Sequence, residues 1–90
     1  MHEFRAIVSG RVQMVMFRDF VTRKARKVGV NGFVQNLDDG TVEVVAQGER
    51  ANLERLLEYL HKGPILSRVE NVHIEWRTPQ QNFDVFTLVR

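Results

Sequence analysis

The sequence predicts an α+β sandwich in which an antiparallel sheet carries two helices on one face. Three observations predict it. Apolar residues recur at helical spacing in two places, around Phe17–Val28 and around Leu53–Leu60. Other stretches alternate apolar and polar residues as half-buried strands do. Turn and stop signals separate these segments in the order β-α-β-β-α-β, with a short extra strand at the C-terminal end. Two βαβ-type halves of this kind build a ferredoxin-like sandwich.

Each element has its own justification. Phe4, Ala6 and Val8 alternate with Arg5, Ile7 and Ser9, which predicts a strand over Glu3–Val8. From Phe17 the period changes: Phe17, Phe20, Val21, Ala25 and Val28 form one helix face, and Arg23, Lys24, Arg26 and Lys27 are expected on a solvated one. Gly29 is the expected stop. Val30–Asn36 reads as a strand, Asp38-Asp39-Gly40 as a turn, and Thr41–Gln47 as the returning strand. In the latter, Val42, Val44 and Ala46 share one face, with Thr41, Glu43, Val45 and Gln47 on the other.

Leu53, Leu56, Leu57 and Leu60 make the stripe of the second helix, Glu58 is placed to pair with Lys62, and Gly63-Pro64 ends it. Val69–Arg77 is a strand with Val72, Ile74 and Trp76 on one side. Pro79–Asn82 breaks the chain, and Phe83–Val89 is the short last strand. Right-handed crossovers put the first and third strands together at the centre of the sheet. The end of strand one, the start of helix one and the hairpin after strand two then approach one another, which brings Arg18 towards Asn36.

Ninety residues, 43% hydrophobic and 27% charged, describe one ordinary globular domain over residues 1–90. The chain has no cysteine, which excludes disulfides, thiolate metal ligands and cysteine nucleophiles together. The N-terminal MHEFRAIVSG lacks a long apolar run, and no stretch approaches membrane-spanning length. A cytoplasmic protein without a membrane partner is therefore expected. A net charge of +2 favours small anionic ligands without demanding nucleic acid. His2, His61 and His73 are scattered and form no metal spacing.

The segment Ser9–Arg18, SGRVQMVMFR, carries the most chemistry. It leads from a strand through a glycine-started connection to an arginine at the beginning of a helix. Backbone N–H groups at a helix N-terminus, with a guanidinium fork beside them, form a site for a tetrahedral anion. The segment offers no activated nucleophile, so water is the attacking group in any reaction here.

Two motifs in the chain resemble those of the acylphosphatase family. The first, G-x-V-Q-G-V-x-F-R, is matched by Gly10, Val12, Gln13, Val15, Phe17 and Arg18. The second, G-x-V-x-N-x-x-D-G-x-V-E, is matched by Gly32, Val34, Asn36, Asp39, Gly40, Val42 and Glu43. Gly63-Pro64 is similar as well, and the resemblance covers nearly the whole chain. It implies hydrolysis of a small-molecule acyl phosphate to a carboxylate and inorganic phosphate. It also implies that Arg18, with loop amides from Gln13, Met14, Val15, Met16 and Phe17, binds the phosphoryl oxygens, and that Asn36 orients the attacking water. It implies no metal and no organic cofactor.

Met14 stands where the family motif has its second glycine. If that position needs φ > 0, a methionine there costs about 1 kcal/mol or more. Its side chain then crowds the anion site, reshapes the loop or swings outward.

The residue types suit the reaction. Phosphoryl transfer passes through a loose transition state with charge on three equatorial oxygens, so positioning and fixed donors dominate. A neutral amide such as Asn36 takes up no proton near neutrality, but its carbonyl accepts from water and directs a lone pair. The expected proton acceptor is then the substrate's own phosphate, as the family resemblance implies, and a carboxylate leaving group reduces the need for a general acid. Two other readings compete. One is a phosphate- or carbamoyl-phosphate-binding module in which Met14 limits turnover. The other is RNA binding, which shares the element order but requires exposed aromatics on the central strands. Thr41, Glu43, Val45 and Gln47 supply none. A monomer is expected, because a single domain of this kind needs no partner for its core.

Overall fold

The computed structural model describes residues 1–90. Its elements are β1 (His2–Arg11), α1 (Phe17–Val28), β2 (Asn31–Asn36), β3 (Val42–Gly48), α2 (Arg50–Lys62), β4 (Arg68–Arg77) and β5 (Phe86–Leu88). They form one sheet in the order β4-β1-β3-β2-β5. β1 lies between β3 and β4 and pairs antiparallel with both, matching Phe4 to Ala46 on one side and to Trp76 on the other. The four strands of the sandwich are antiparallel, and β5 adds to β2 in parallel, opposing Gly32 to Phe86.

Both helices pack on one face. A single core joins Phe4, Ala6 and Val8 of β1, Val42, Val44 and Ala46 of β3, Val21 and Ala25 of α1, and Leu53, Leu56 and Leu60 of α2. All of these are fully buried, so the period-2 and period-3.6 faces meet as the pattern predicts. Burial of each such leucine or valine contributes roughly 1.5–3 kcal/mol.

The other face of the sheet is polar but closed. Glu3 and Glu43 are only 3% and 8% exposed, and each is compensated. Glu43 accepts from Arg5 Nε at 2.6 Å and from Gln35 Nε2 at 2.6 Å. Glu3 pairs with Arg77 and accepts from Gln47 Nε2 at 2.8 Å. The segment between β4 and β5 crosses over this end: Gln47 also bonds Gln81, and the Phe83 amide donates to Gln47 Oε1 at 3.1 Å.

Three local expectations are corrected. The last strand covers Phe86–Leu88 and not Phe83–Val89, because Phe83 turns onto Phe33, with ring centroids 5.7 Å apart. Glu58 and Lys62 form no ion pair; the pair on α2 is Arg50–Glu54 at 3.0 Å. A surface i,i+4 pair gains only about 0.3–0.5 kcal/mol, too little to dictate which one forms. The basic face of α1 is also more engaged than a solvated face. Arg26 donates to the Phe86 carbonyl at 3.0 Å, and Lys24 lies 4.7 Å from the Tyr59 ring centre.

Candidate active site

The site begins where β1 leaves its pairing. The β1–β4 register shifts between Ser9 and Gly10, and Gly10 has φ 120°. A Cβ there would lie 2.1 Å from the Arg68 carbonyl oxygen, so only glycine lets β4 approach this closely. The bulge sends the chain into the connection 12–16, whose side chains point in different directions. Val12 is buried, and Val15 packs against the core. Gln13 turns away from the cleft and donates to the carbonyls of Leu37 and Thr41 at 2.9 and 2.8 Å. It thereby ties the loop to the β2–β3 turn.

Met14 and Met16 take the remaining positions, and both are left-handed, with φ of 61° and 60°. Each costs an L-residue roughly 1–2 kcal/mol. The requirement for φ > 0 at Met14 was legible from the glycine it replaces, whereas Met16 gave no such signal. The Met14 side chain swings outward and is 99% exposed. Met16 is the N-cap of α1 and makes no side-chain cap bond. Its carbonyl accepts from the Phe20 amide at 3.0 Å. The first amides of α1 thus have no side-chain acceptor within the helix cap, the condition under which a helix start serves an external anion.

A cleft of about 440 Å³ opens at this helix start, lined by Val12, Met14, Met16, Phe17, Arg18, Asp19, Asn36, Leu88 and Arg90. Arg18 and Asn36 therefore share one cleft, although they lie 18 positions apart in the chain. Arg18 is held by its Nη1 donating to the Val89 carbonyl at 2.7 Å. Val89 is in turn fixed by its N–H, which donates to the Val34 carbonyl at 2.9 Å. The guanidinium has further donors for a ligand.

Asn36 ends β2, and its Oδ1 is the one buried side-chain oxygen or nitrogen without a hydrogen-bond partner in the chain. Leaving a buried acceptor unpaired costs about 1–3 kcal/mol, so such an atom calls for an explanation. The turn behind it is rigid. Leu37 donates its amide to Thr41 at 2.9 Å. Asp39 accepts from the Thr41 hydroxyl at 2.6 Å and amide at 3.0 Å, and these bonds hold its carboxyl below the ordinary aspartate value.

Sequence reasoning did not find Asp19, Leu88 or Arg90. Asp19 is paired with Arg23 at 3.1 Å, one helical turn on. Leu88 and Arg90 reach the cleft only because β5 pairs with β2, and no local pattern signals that pairing.

The family model described as Acylphosphatase matches residues 4–88. The chain belongs to the acylphosphatase family. An acylphosphatase of Methanococcoides burtonii is 47% identical over 83 residues, covering 92% of this chain and 86% of that one. An acylphosphatase of Thermus thermophilus is 49% identical over 71 residues, covering 79% and 81%. Among solved structures, the crystal structure of acylphosphatase from Bacillus subtilis superposes with a TM-score of 0.96 at 36% identity, covering 100% of both chains.

Proposed function

We propose that the chain hydrolyses acyl phosphates to a carboxylate and inorganic phosphate. In this scheme Arg18 and the loop amides from Gln13 to Phe17 hold the phosphoryl oxygens, while Asn36 orients the attacking water. The observation that carries the reading is the buried, unpaired Oδ1 of Asn36, a residue that lines the same cleft as Arg18. An acceptor there takes one hydrogen of a water and points its lone pair at phosphorus. The relatives named acylphosphatase support the same chemistry.

The water oxygen forms the new P–O bond as the bond from phosphorus to the acyl oxygen breaks. The carboxylate leaves with that electron pair, and the water proton passes to a phosphoryl oxygen. Charge grows on the equatorial oxygens, where fixed donors act most strongly. Hydrolysis in oxygen-18 water places the label in inorganic phosphate; label in the carboxylate would mean attack at carbon and remove the scheme. Arg18→Ala nearly abolishes phosphate binding and turnover, and a rate equal to wild type would refute the assignment. Residues 1–90 act as one domain, a reading supported by the single continuous core, and that domain acts as a monomer. Sedimentation giving a dimer mass would overturn it.

A further inference from the structure

The two left-handed methionines share a second property. Met14 and Met16 are 99% and 71% exposed, so neither side chain gains packing that offsets its backbone strain. Both line the cleft that holds Arg18 and Asn36. Strain that the fold does not compensate is a pointer to function when it is observed at a ligand site. Two long thioethers beside an anion site serve no purpose for a bare phosphate, whose oxygens need donors and charge. They do suit the other half of an acyl phosphate.

The deeper apolar lining of the cleft, Val12 and Phe17, is only 1% exposed at each residue and offers little surface. Leu88 also lines the cleft but is half-buried and adds a smaller share, so the accessible apolar area next to Arg18 is chiefly that of the two methionines.

We infer that Met14 and Met16 form the acyl-binding surface and select substrates with a bulky apolar acyl group, aromatic or branched, over acetyl phosphate. This inference rests on the hydrolase reading for its substrate class. Methionine fits the task because its unbranched thioether adapts to irregular shapes and makes favourable contacts with the edge of an aromatic ring. Each methylene equivalent taken from water on binding is worth about fourfold in affinity. Contact of a phenyl ring with both side chains therefore amounts to a preference of about tenfold or more.

The test uses non-hydrolysable acyl phosphonates, so it does not depend on turnover. Calorimetry measures the affinity of benzoylphosphonate and acetylphosphonate for wild type and for Met14→Asn/Met16→Asn. Asparagine tolerates left-handed backbone, so the variant keeps the loop conformation and loses the apolar surface. Wild type should prefer the benzoyl compound by about tenfold or more, and the variant by less than about threefold. Met14→Leu, which keeps apolar surface at position 14, should retain most of the wild-type ratio. No benzoyl preference in wild type, or the same ratio in the double asparagine variant, overturns the inference. Absence of acyl phosphate hydrolysis by wild type would instead overturn the hydrolase reading, and the phosphonate ratio would still decide the role of the methionines.

Discussion

Replacing Asn36 by alanine should separate stability from activity. Its Oδ1 is buried and unpaired, so alanine gives up no hydrogen bond at that atom. It removes a desolvated acceptor whose burial costs about 1–3 kcal/mol. Loss of side-chain contacts offsets part of this, and the lower end of the range is the fair expectation. A gain of about 1 kcal/mol in a domain of this size raises Tm by about 4–8 °C. Turnover should move the other way. Losing the group that aims the water costs on the order of 100-fold in kcat. KM should change by less than about threefold, because the lost contact is to water and not to substrate. Thermal unfolding followed by circular dichroism gives the first quantity, and loss of ultraviolet absorbance on benzoyl phosphate hydrolysis gives the second. A kcat within about threefold of wild type would remove Asn36 from the mechanism. A fall in Tm of more than about 4 °C would show that the amide is a structural tie and that the reasoning from its unpaired oxygen is wrong.

Other predictions follow from the same geometry. Gln13→Leu removes both bonds to the β2–β3 turn; it should cost about 1–3 kcal/mol in urea unfolding and lower kcat, and unchanged stability would mean that the loop is anchored elsewhere. Gly10→Ala forces a Cβ to within 2.1 Å of the Arg68 carbonyl, so it should destabilise by about 3 kcal/mol or more; a wild-type denaturation midpoint would contradict the close approach. Arg18→Lys keeps the charge but loses the planar fork, so phosphate inhibition should weaken about tenfold or more, and equal inhibition would argue against fork recognition. Asp39 has a lowered folded pKa because it accepts from Thr41. Its contribution is fully present above the unfolded value of about 3.9 and is lost as pH falls through the lower folded value. Asp39→Asn should therefore flatten the stability profile below about pH 4; identical acid slopes would deny the effect.

Much of this architecture was legible because its signals are local. The stripe Leu53, Leu56, Leu57 and Leu60 fixes one face of α2 by its spacing, and all four are buried. The alternation in β1 and β3 selects the same faces as the structure does. In the site, Arg18 was expected from its place at a helix start and Asn36 only from the family motif it resembles, and the structure places both in one cleft. What escaped depends on long-range pairing or on small energy differences. The bond from Arg18 to Val89 spans 71 residues and requires β5 to dock first. Arg26 is drawn to Phe86 for the same reason. The left-handed backbone at Met16 has no residue type to announce it, since methionine seldom takes that conformation.

The placement of β1 also determines how the molecule must come together. This first strand lies between β3 and β4, and its Glu3 faces Arg77, 74 positions later. Its inner face stays uncovered until most of the chain has been made. Pairings this distant in sequence pay their loop-closure entropy before they return any contact, and they slow folding accordingly. The cleft inherits the same dependence, because it draws on the β1–α1 connection and the start of α1, on Asn36 and on Leu88 and Arg90. No fragment ending before β5 holds the whole set. During refolding, phosphate binding should therefore appear with the last cooperative step and not with the first helix, so that recovery of the ligand site reports completion of the entire sheet.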